Sequence, residues 1–421
     1  MISQKEISLF FFPLMLNVQL MSVSHSIING ALAREPDPVT SLAAFSVAMI
    51  LHLFVASPSY QNHTVTIAMV RDRRSLVGTL VFILAIASWV SLMLGLLVYS
   101  PLGDWVLKRL LGVEGEIARG VRQALELLIF LPFFTGLRGL FQGLVIRARR
   151  TSLVSFATGV RIGALALGLL FAGRWFSGVA LAAFSLIFCI AVETALMGWF
   201  ALRARLPYVE GEGRSIREVF RFAFPLAFSS GLQQAIPLLI SAILGRLPDA
   251  ALALAAFGVI RGFVFLLAGP LRNLQQAHLT LVKCEADDKA LVRFFWKVSV
   301  GTGLLMALIA YPLSRPVLGA LMGLDEAMRS YIALPMAVCS VFPLLYGGSN
   351  LLRGLFAARH RTGLLGRITL YKVGYLLLCW ALLSLVPLPV PGVALALFLL
   401  LSAELIELHY LRRHKPSGPL G

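Results

Sequence analysis

The sequence predicts an all-α polytopic membrane protein in which twelve transmembrane helices form two parallel six-helix pseudo-repeats. The 421 residues are 58% hydrophobic and only 14% charged, a composition that excludes a soluble globular protein of this length. In addition, the Leu-Ala-Ala-Phe motif of residues 42–45 recurs at residues 254–257, an offset of 212 positions. A repeat of that period in an apolar chain indicates two similar halves.

Twelve predominantly apolar stretches can each cross the hydrocarbon core of a bilayer, which takes about 20 helical residues. The first is too long for a signal-peptide core and has no small-residue cleavage site, so we expect it to be retained at the start of the mature chain. The predicted spans are residues 8–30, 41–70, 76–99, 117–146, 152–173, 178–202, 216–245, 250–282, 291–312, 327–357, 364–386 and 391–411.

The net charge of +17 is distributed over every second loop instead of forming one patch. That pattern is the positive-inside signature of a membrane protein, so a lipid bilayer is the expected partner and nucleic acid is not. The predicted cytoplasmic segments are residues 71–74, 147–150, 203–217, 283–289, 359–361 and 412–415. Both termini are therefore expected in the cytoplasm, and the two halves have the same orientation.

A polar, glycine-bearing segment between the sixth and seventh spans predicts the boundary between the halves. We assign residues 1–205 to an N-terminal six-helix lobe and residues 216–412 to a C-terminal six-helix lobe. Residues 206–215 form the predicted cytoplasmic linker, and residues 413–421 form a short basic cytoplasmic tail.

The first two helices of each lobe contain proline, at Pro13, Pro58, Pro225 and Pro270. A proline inside a transmembrane helix frees a backbone carbonyl, which is tolerated where neighbouring groups or a wet cavity satisfy it. The recurrence of these prolines predicts hinges. Packing kinks inherited by duplication are the alternative.

The chain contains no motif of an enzyme or of an ATP-driven pump: GxSxG, Walker A and HExxH sequences are all missing. Its four cysteines lie within or at the ends of predicted spans and lack metal-type spacing. We therefore expect no catalytic residue, metal or cofactor. The informative side chains are polar ones at membrane depth, where each charge costs about 2.5–3.5 kcal/mol.

Polar side chains in the first two helices of each half predict the lining of one central pathway. For any single amide, a hydrogen bond between two helices is the alternative. Together with arginines of later spans, the candidate substrate-binding residues are Asn17, Gln19, Gln61, Asn62, His63, Arg138, Gln233, Arg261, Arg272, Asn273, Gln276, Asn350 and Arg353.

Basic residues at membrane depth also recur. Residues 138–141 and 353–356 both read Arg-Gly-Leu-Phe, and Lys372 follows Arg161 at an offset of 211. We expect Arg161, Lys372 and Arg367 to snorkel toward the cytoplasmic face. A cavity lined by the other arginines would be positive and would select an anion, because the paired donors of a guanidinium match carboxylate or phosphate oxygens.

Coupling of transport to protons or sodium usually requires a carboxylate near the midplane, and neither first helix contains one after its opening residues. Glu193, in the sixth span, is the candidate, with pairing to a neighbouring arginine as the alternative. His63 and His278 are further candidates, because histidine is the residue type that serves most often as a proton switch. Coupling therefore stays open.

Several short motifs, taken together and in register over nearly the whole chain, resemble the progressive ankylosis protein family. They are Phe-Pro-Leu-Ala at residues 224–227 followed by Gln233, the Pro58 segment ending in Arg-Asp-Arg at residues 71–73, Gly-Leu-Asp at residues 323–325, and Phe-Pro at residues 342–343.

The resemblance implies the fold of the multidrug/oligosaccharidyl-lipid/polysaccharide (MOP) exporters, including MATE-like transporters, in which two six-helix bundles face each other in a V. It also implies export of small organic anions such as citrate and nucleoside triphosphate, and an association with extracellular pyrophosphate. Because the chain ends at Gly421 without the longer acidic tail of animal members, we expect a compact prokaryotic member in the inner membrane.

The leading hypothesis is a monomeric secondary transporter that exports a small anion by alternating access through a central basic cavity between the lobes. One alternative is a flippase for a lipid-linked oligosaccharide or peptidoglycan precursor, whose pyrophosphate would also bind arginine. A cation-coupled multidrug exporter is disfavoured by the missing carboxylate in the first helices. A non-transporting scaffold would need neither paired prolines nor symmetric arginines.

Overall fold

The computed structural model describes residues 2–32, 34–110, 113–204, 214–244, 246–247, 250–321, 324, 326–385 and 390–415. Its helices group into two compact units. The N-unit is Phe12–Gly231, and the C-unit is Leu232–Gly421 together with Met1–Phe11. The predicted lobe boundary and linker stay predictions, because residues 205–213 and the tail from residue 416 lie outside the described part.

In the described part of the chain, ten α-helices contribute to the N-unit, and two of them, α1 and α10, lie only partly within it. The later residues of α1 and the first residues of α10 belong here. In order, the helices are α1 (Gln4–Leu32), α2 (Pro38–Ala56), α3 (Asn62–Met69), α4 (Arg73–Tyr99), α5 (Pro101–Trp105), α6 (Gly115–Leu128), α7 (Leu131–Arg147), α8 (Thr151–Ala172), α9 (Gly178–Arg203) and α10 (Ile216–Leu244).

The described residues of the C-unit form the remainder of α10 and seven further helices, and residues through Phe11 of α1 pack with them. The Gln4 Nε2 donates to the Ala290 carbonyl at 2.8 Å, and Phe11 meets Phe294 edge to face. The seven helices are α11 (Ala250–Ala268), α12 (Asn273–Leu281), α13 (Glu285–Ala310), α14 (Glu326–Val338), α15 (Phe342–Ala358), α16 (Thr362–Leu385) and α17 (Gly392–Arg413).

Among the described residues, eleven helical segments are long and apolar enough to span a membrane. A further pair, α6 and α7, passes the same test when taken together and is bent by 46°. The prediction of an all-α polytopic membrane protein with twelve spans is thereby confirmed. The bend falls beside Pro132 at the start of α7, where proline is compatible with a first helical turn.

Local sequence explains where the loops end and the helices begin. Asp72 caps α4: its Oδ1 accepts from the backbone N–H of Ser75 at 2.8 Å, and the Ser75 hydroxyl oxygen accepts from the backbone N–H of Asp72 at 3.0 Å. This reciprocal pair is a capping box. The Ser75 N–H bond also lowers the pKa of the Asp72 carboxyl, so the cap stays ionised at neutral pH.

Two spans are interrupted at corresponding positions by short 3₁₀ segments that contain the predicted hinge prolines. Ser57–Gln61 separates α2 from α3, and Gly269–Arg272 separates α11 from α12. Pro58 and Pro270 each lie in the first turn of these segments. Because proline cannot donate the next helical hydrogen bond, it accounts for a break at both sites. Pro13 and Pro225 instead lie inside the continuous helices α1 and α10.

Two pairs of later helices, α7 with α15 and α8 with α16, share one numerical register. The first residues of α7 and α15, Leu131 and Phe342, are 211 positions apart, and so are the last, Arg147 and Ala358. The first residues of α8 and α16 are separated by the same number. This register allows individual side chains of the two units to be compared.

Candidate functional site

A buried charge network lies in the N-unit around Glu193 of α9, whose carboxylate accepts from three side chains. Nη1 of Arg138, on α7, lies 2.9 Å from Glu193 Oε2. From α8, Arg161 Nη1 lies 3.4 Å from the same oxygen, and the Thr158 hydroxyl lies 2.7 Å from Oε1. We call Arg138, Thr158, Arg161 and Glu193 the N-network.

Asn17 joins the N-network from α1. Its Oδ1 lies 2.5 Å from the Thr158 hydroxyl oxygen, and its residue is 7% exposed. Because a hydroxyl carries one proton, Thr158 cannot donate to both Glu193 and Asn17. Asn17 Oδ1 and Glu193 Oε1 therefore compete for the same proton.

The C-unit holds a corresponding network with two carboxylates. Lys372 of α16 donates to Glu404 and to Glu407 of α17, in both cases at 2.6 Å. Arg353 of α15 donates through Nε to Glu407 at 2.5 Å. We call Arg353, Lys372, Glu404 and Glu407 the C-network.

Two polar side chains extend the C-network. The hydroxyl of Thr369 lies 3.4 Å from Arg353 Nη2. The Gln233 amide oxygen, in the orientation that satisfies both groups, accepts from Nη1 and Nη2 of Arg353 at 3.1 and 2.5 Å. Gln233 thus holds α10 to α15 within the C-unit.

The expected snorkelling of Arg161 and Lys372 is wrong, because these residues are only 2% and 1% exposed. A buried charge without a partner is costly, and carboxylates on the neighbouring helix compensate both cations here. The alternative interpretation of Glu193, pairing with arginine, is therefore confirmed. Arg367, which shared the expectation, is exposed.

The two Arg-Gly-Leu-Phe motifs are not structural counterparts. An alanine Cβ at Gly354 would lie 3.0 Å from the Gln275 carbonyl and 2.7 Å from His278 Cβ. The position in the N-unit that meets the equivalent residues, the His63 carbonyl and Thr66, is Gly143 and not Gly139. Arg353 is therefore one helical turn further along its helix than Arg138.

The polar residues that follow the two breaks pack largely inside their units. Asn62 is 2% exposed, and its Cβ would lie 3.0 Å from a Cβ added at Gly139. Asn273 and Gln276 are 3% exposed and hydrogen-bond each other at 3.2 Å. Gln61 and His63 are half-buried. The predicted lining role of these five residues stays a prediction.

The remaining candidates divide by exposure. Arg261 and Arg272 are exposed, and Arg261 lies over the Phe265 ring at 5.5 Å. Asn350 is buried and donates to the Tyr346 carbonyl at 2.8 Å within its own helix. Gln19 is half-buried on α1. The structure thus brings Asn17 with Arg138, and Gln233 with Arg353, into the networks.

Sequence reasoning missed Thr158, Thr369 and Lys372 as members of these networks. The available signal was threonine and a basic residue three positions apart on corresponding helices, at residues 158 and 161 and again at residues 369 and 372. Side chains that are three positions apart lie on the same face of a helix. The combination therefore marks a polar face that recurs 211 positions later.

Chemically, the networks offer guanidinium and ammonium donors held by carboxylates at membrane depth. Such groups bind anionic oxygens in fixed directions. They also resist rotation of the helices that carry them about their axes, because rotation would leave a buried charge without its partner, which is destabilising.

Comparison with known proteins finds a family model that matches part of the chain and solved structures that share its fold. Residues 5–170 match the family described as progressive ankylosis protein (ANKH). No curated relative matches the sequence.

Solved structures of low sequence identity share the fold over nearly the full chain. A MOP superfamily transporter from Pyrococcus furiosus has a TM-score of 0.72 at 14% identity, covering 97% of this chain and 95% of that chain. An outward-facing multidrug resistance MATE family transporter of the MOP superfamily gives 0.74 at 13% identity, covering 98% and 97%. A eukaryotic MATE transporter gives 0.72 at 14% identity, covering 97% and 94%.

Proposed function

We propose that this chain is a secondary transporter exporting small organic or phosphate-bearing anions, because residues 5–170 match the progressive ankylosis protein family and the described helices have the fold of MATE transporters. Citrate, a nucleotide or a pyrophosphate-like anion is the proposed substrate. The proposed mode is alternating access by a monomer in the inner membrane, with both termini in the cytoplasm and no enzymatic step.

The observation that carries the anion assignment is the presence of two exposed arginines within one span. Arg261 and Arg272 lie in the span Ala256–Leu281, and both are exposed. An arginine facing lipid would cost about 2.5–3.5 kcal/mol. A water-filled path that admits anions removes that cost and allows both guanidiniums to bind anions.

The fold itself accommodates changes in pocket charge. The similar transporter from Pyrococcus furiosus is described as having a binding pocket of reverse polarity that suggests a different function. A positive pocket on this fold is therefore consistent with a substrate other than a cationic drug.

Transport of labelled citrate, ATP and pyrophosphate in proteoliposomes tests the proposal. We expect uptake or efflux by the wild type and roughly 10- to 150-fold slower transport by Arg272→Ala, the effect of losing one charged hydrogen bond of about 1.5–3 kcal/mol. Runs with and without a pH or sodium gradient show whether transport is coupled.

Arg71→Ala is the matched control, because Arg71 is an exposed arginine in the loop that precedes α4. It removes the same charge outside the spans and should transport as the wild type does. Absence of anion transport under every gradient would refute the proposal and redirect attention to lipid-linked substrates.

The proline breaks give a second expectation. Pro58→Ala and Pro270→Ala restore a backbone donor at each 3₁₀ segment and should change the maximal rate by about tenfold, equivalent to about 1.4 kcal/mol on a barrier, with a smaller change in KM. The comparison of maximal rate and KM is the measurement. Transport rates equal to the wild type in both variants would assign these prolines to packing alone.

A further inference from the structure

The common register of the two units allows the N-network and the C-network to be compared position by position. Arg161 and Lys372 correspond at an offset of 211 within α8 and α16, and their carboxylate partners Glu193 and Glu404 lie at the same offset. Beside these residues the N-unit has one additional cation, Arg138. The corresponding residue of the C-unit is the uncharged Ser349.

One helical turn further along these helices, the C-unit has a cation and a carboxylate that the N-unit lacks. Arg353 and Glu407 form the C-unit pair, and the N-unit has Gln142 and Leu196 at the corresponding positions. The C-unit has therefore gained a cation and a carboxylate together, whereas the N-unit has gained only the cation Arg138.

The charge balance of the two networks consequently differs. In the C-network, two cations face two carboxylates. In the N-network, Arg138 and Arg161 share the single carboxylate of Glu193, which leaves one positive charge in excess among the described residues.

The hydrogen-bond donors show the same imbalance. The Nε atoms of Arg138 and Arg161 are buried, and among the described residues neither has an acceptor. Arg353 Nε, in contrast, donates to Glu407. Arg161 is 2% exposed, so its donor is a buried group without a matching acceptor, which is costly.

Arg138 is also the accessible member of these cations. Its side chain is 16% exposed, compared with 2% for Arg161, 5% for Arg353 and 1% for Lys372. Arg138 is thus the most exposed of the four cations in the two networks.

We infer that the N-network is a subsite for one carboxylate or phosphate group, which binds at Arg138. In the C-network, the two cations and the two carboxylates neutralise each other, and the role of this network is structural. This inference rests on the proposed function. Glu193 would keep its bonds to Arg161 and Thr158 while the bound anion supplies the second negative charge at Arg138, so Arg161 acts as a positioning residue.

The decisive variant is Leu196→Glu, which gives the N-unit the second carboxylate that the C-unit has as Glu407. Since Glu407 binds Lys372, the counterpart of Arg161, the new carboxylate should neutralise Arg161 and leave Glu193 to Arg138. We expect binding of pyrophosphate and citrate to weaken by about tenfold or more, although every arginine is still present. Leu196→Gln has nearly the same shape without the charge and should bind as the wild type does.

Titration calorimetry of the full-length protein in detergent free of anionic lipid measures this binding. A parallel arm in nanodiscs, with neutral lipid or with phosphatidylglycerol, distinguishes a free anion from a lipid phosphate. Loss of binding in Leu196→Glu would support a subsite for a free anion. Competition by phosphatidylglycerol in the wild type, abolished in Leu196→Glu, would support a subsite for a lipid phosphate.

Arg138→Gln provides the complementary test. It leaves Glu193 paired with Arg161 and should fold normally, with the same loss of binding. If the wild type binds and transports the anions while Arg138→Gln and Leu196→Glu bind them equally well, the subsite is refuted and the proposed function stands. If the wild type neither binds nor transports any of them, the proposed function itself fails.

Discussion

Replacing Glu407 with leucine is expected to destabilise the protein by about 3–5 kcal/mol, the typical effect of removing one partner from a buried ion pair. Glu407 is 1% exposed and accepts from both Arg353 and Lys372. Its loss would remove a charged acceptor from Arg353, whose contacts with Thr369 and Gln233 are to uncharged groups. Thermal or denaturant unfolding in detergent measures the change.

The N-unit provides the compensating substitution. Its residues at the positions of Arg353 and Glu407 are Gln142 and Leu196, so the double variant Arg353→Gln with Glu407→Leu gives the C-unit the residues of the N-unit at this level. Lys372 would keep Glu404, at 2.6 Å, and no buried charge would be unpaired. We expect most of the lost stability to return.

This double variant separates two explanations of the destabilisation. If the cost arises from the unpaired charge of Arg353, the double variant must be more stable than Glu407→Leu alone. If the double variant is equally unstable, the carboxylate contributes through packing and the ion-pair argument is incorrect.

The spans could be predicted because the bilayer imposes a simple requirement on composition. A stretch of about 20 apolar residues is sufficient for a helix that satisfies its own backbone. Pro58 and Pro270 likewise indicated interruptions, since proline acts on its own helix. Such features depend on residues that are close together in the chain.

The pairing of charges could not be predicted in the same way. Whether Arg161 snorkels or pairs depends on the rotation of α8 relative to α9, which side-chain packing determines. The Arg-Gly-Leu-Phe match was similarly misleading, because Arg353 and its partner Glu407 are both displaced by about one turn relative to Arg138 and Glu193. When both partners of a salt bridge move by one turn in the same direction, the salt bridge is preserved. Comparing the sequence of one helix with its counterpart cannot reveal such a joint shift.

The close approach of α7 to α3 predicts a second large effect, at Gly143. A Cβ at this position would lie 2.5 Å from Thr66 Cβ and 2.8 Å from the backbone carbonyl of His63. Gly143→Ala must therefore push apart α7 and the helix that follows the Pro58 break. Overpacking of this kind costs about 1–3 kcal/mol, and we expect both a lower unfolding temperature and slower anion transport.

The corresponding substitution in the C-unit, Gly354→Ala, should behave alike, because its Cβ would lie 2.7 Å from His278 Cβ. Gly163 of α8 is the matched control, since an added Cβ there has no neighbour within 4 Å. Alanine at this open helical position should be neutral or stabilise by about 0.5–1 kcal/mol. Equal stability of all three alanine variants would show that α7 and α15 have room to move. Loss confined to Gly143→Ala and Gly354→Ala would instead establish that each broken span is held by direct backbone contact.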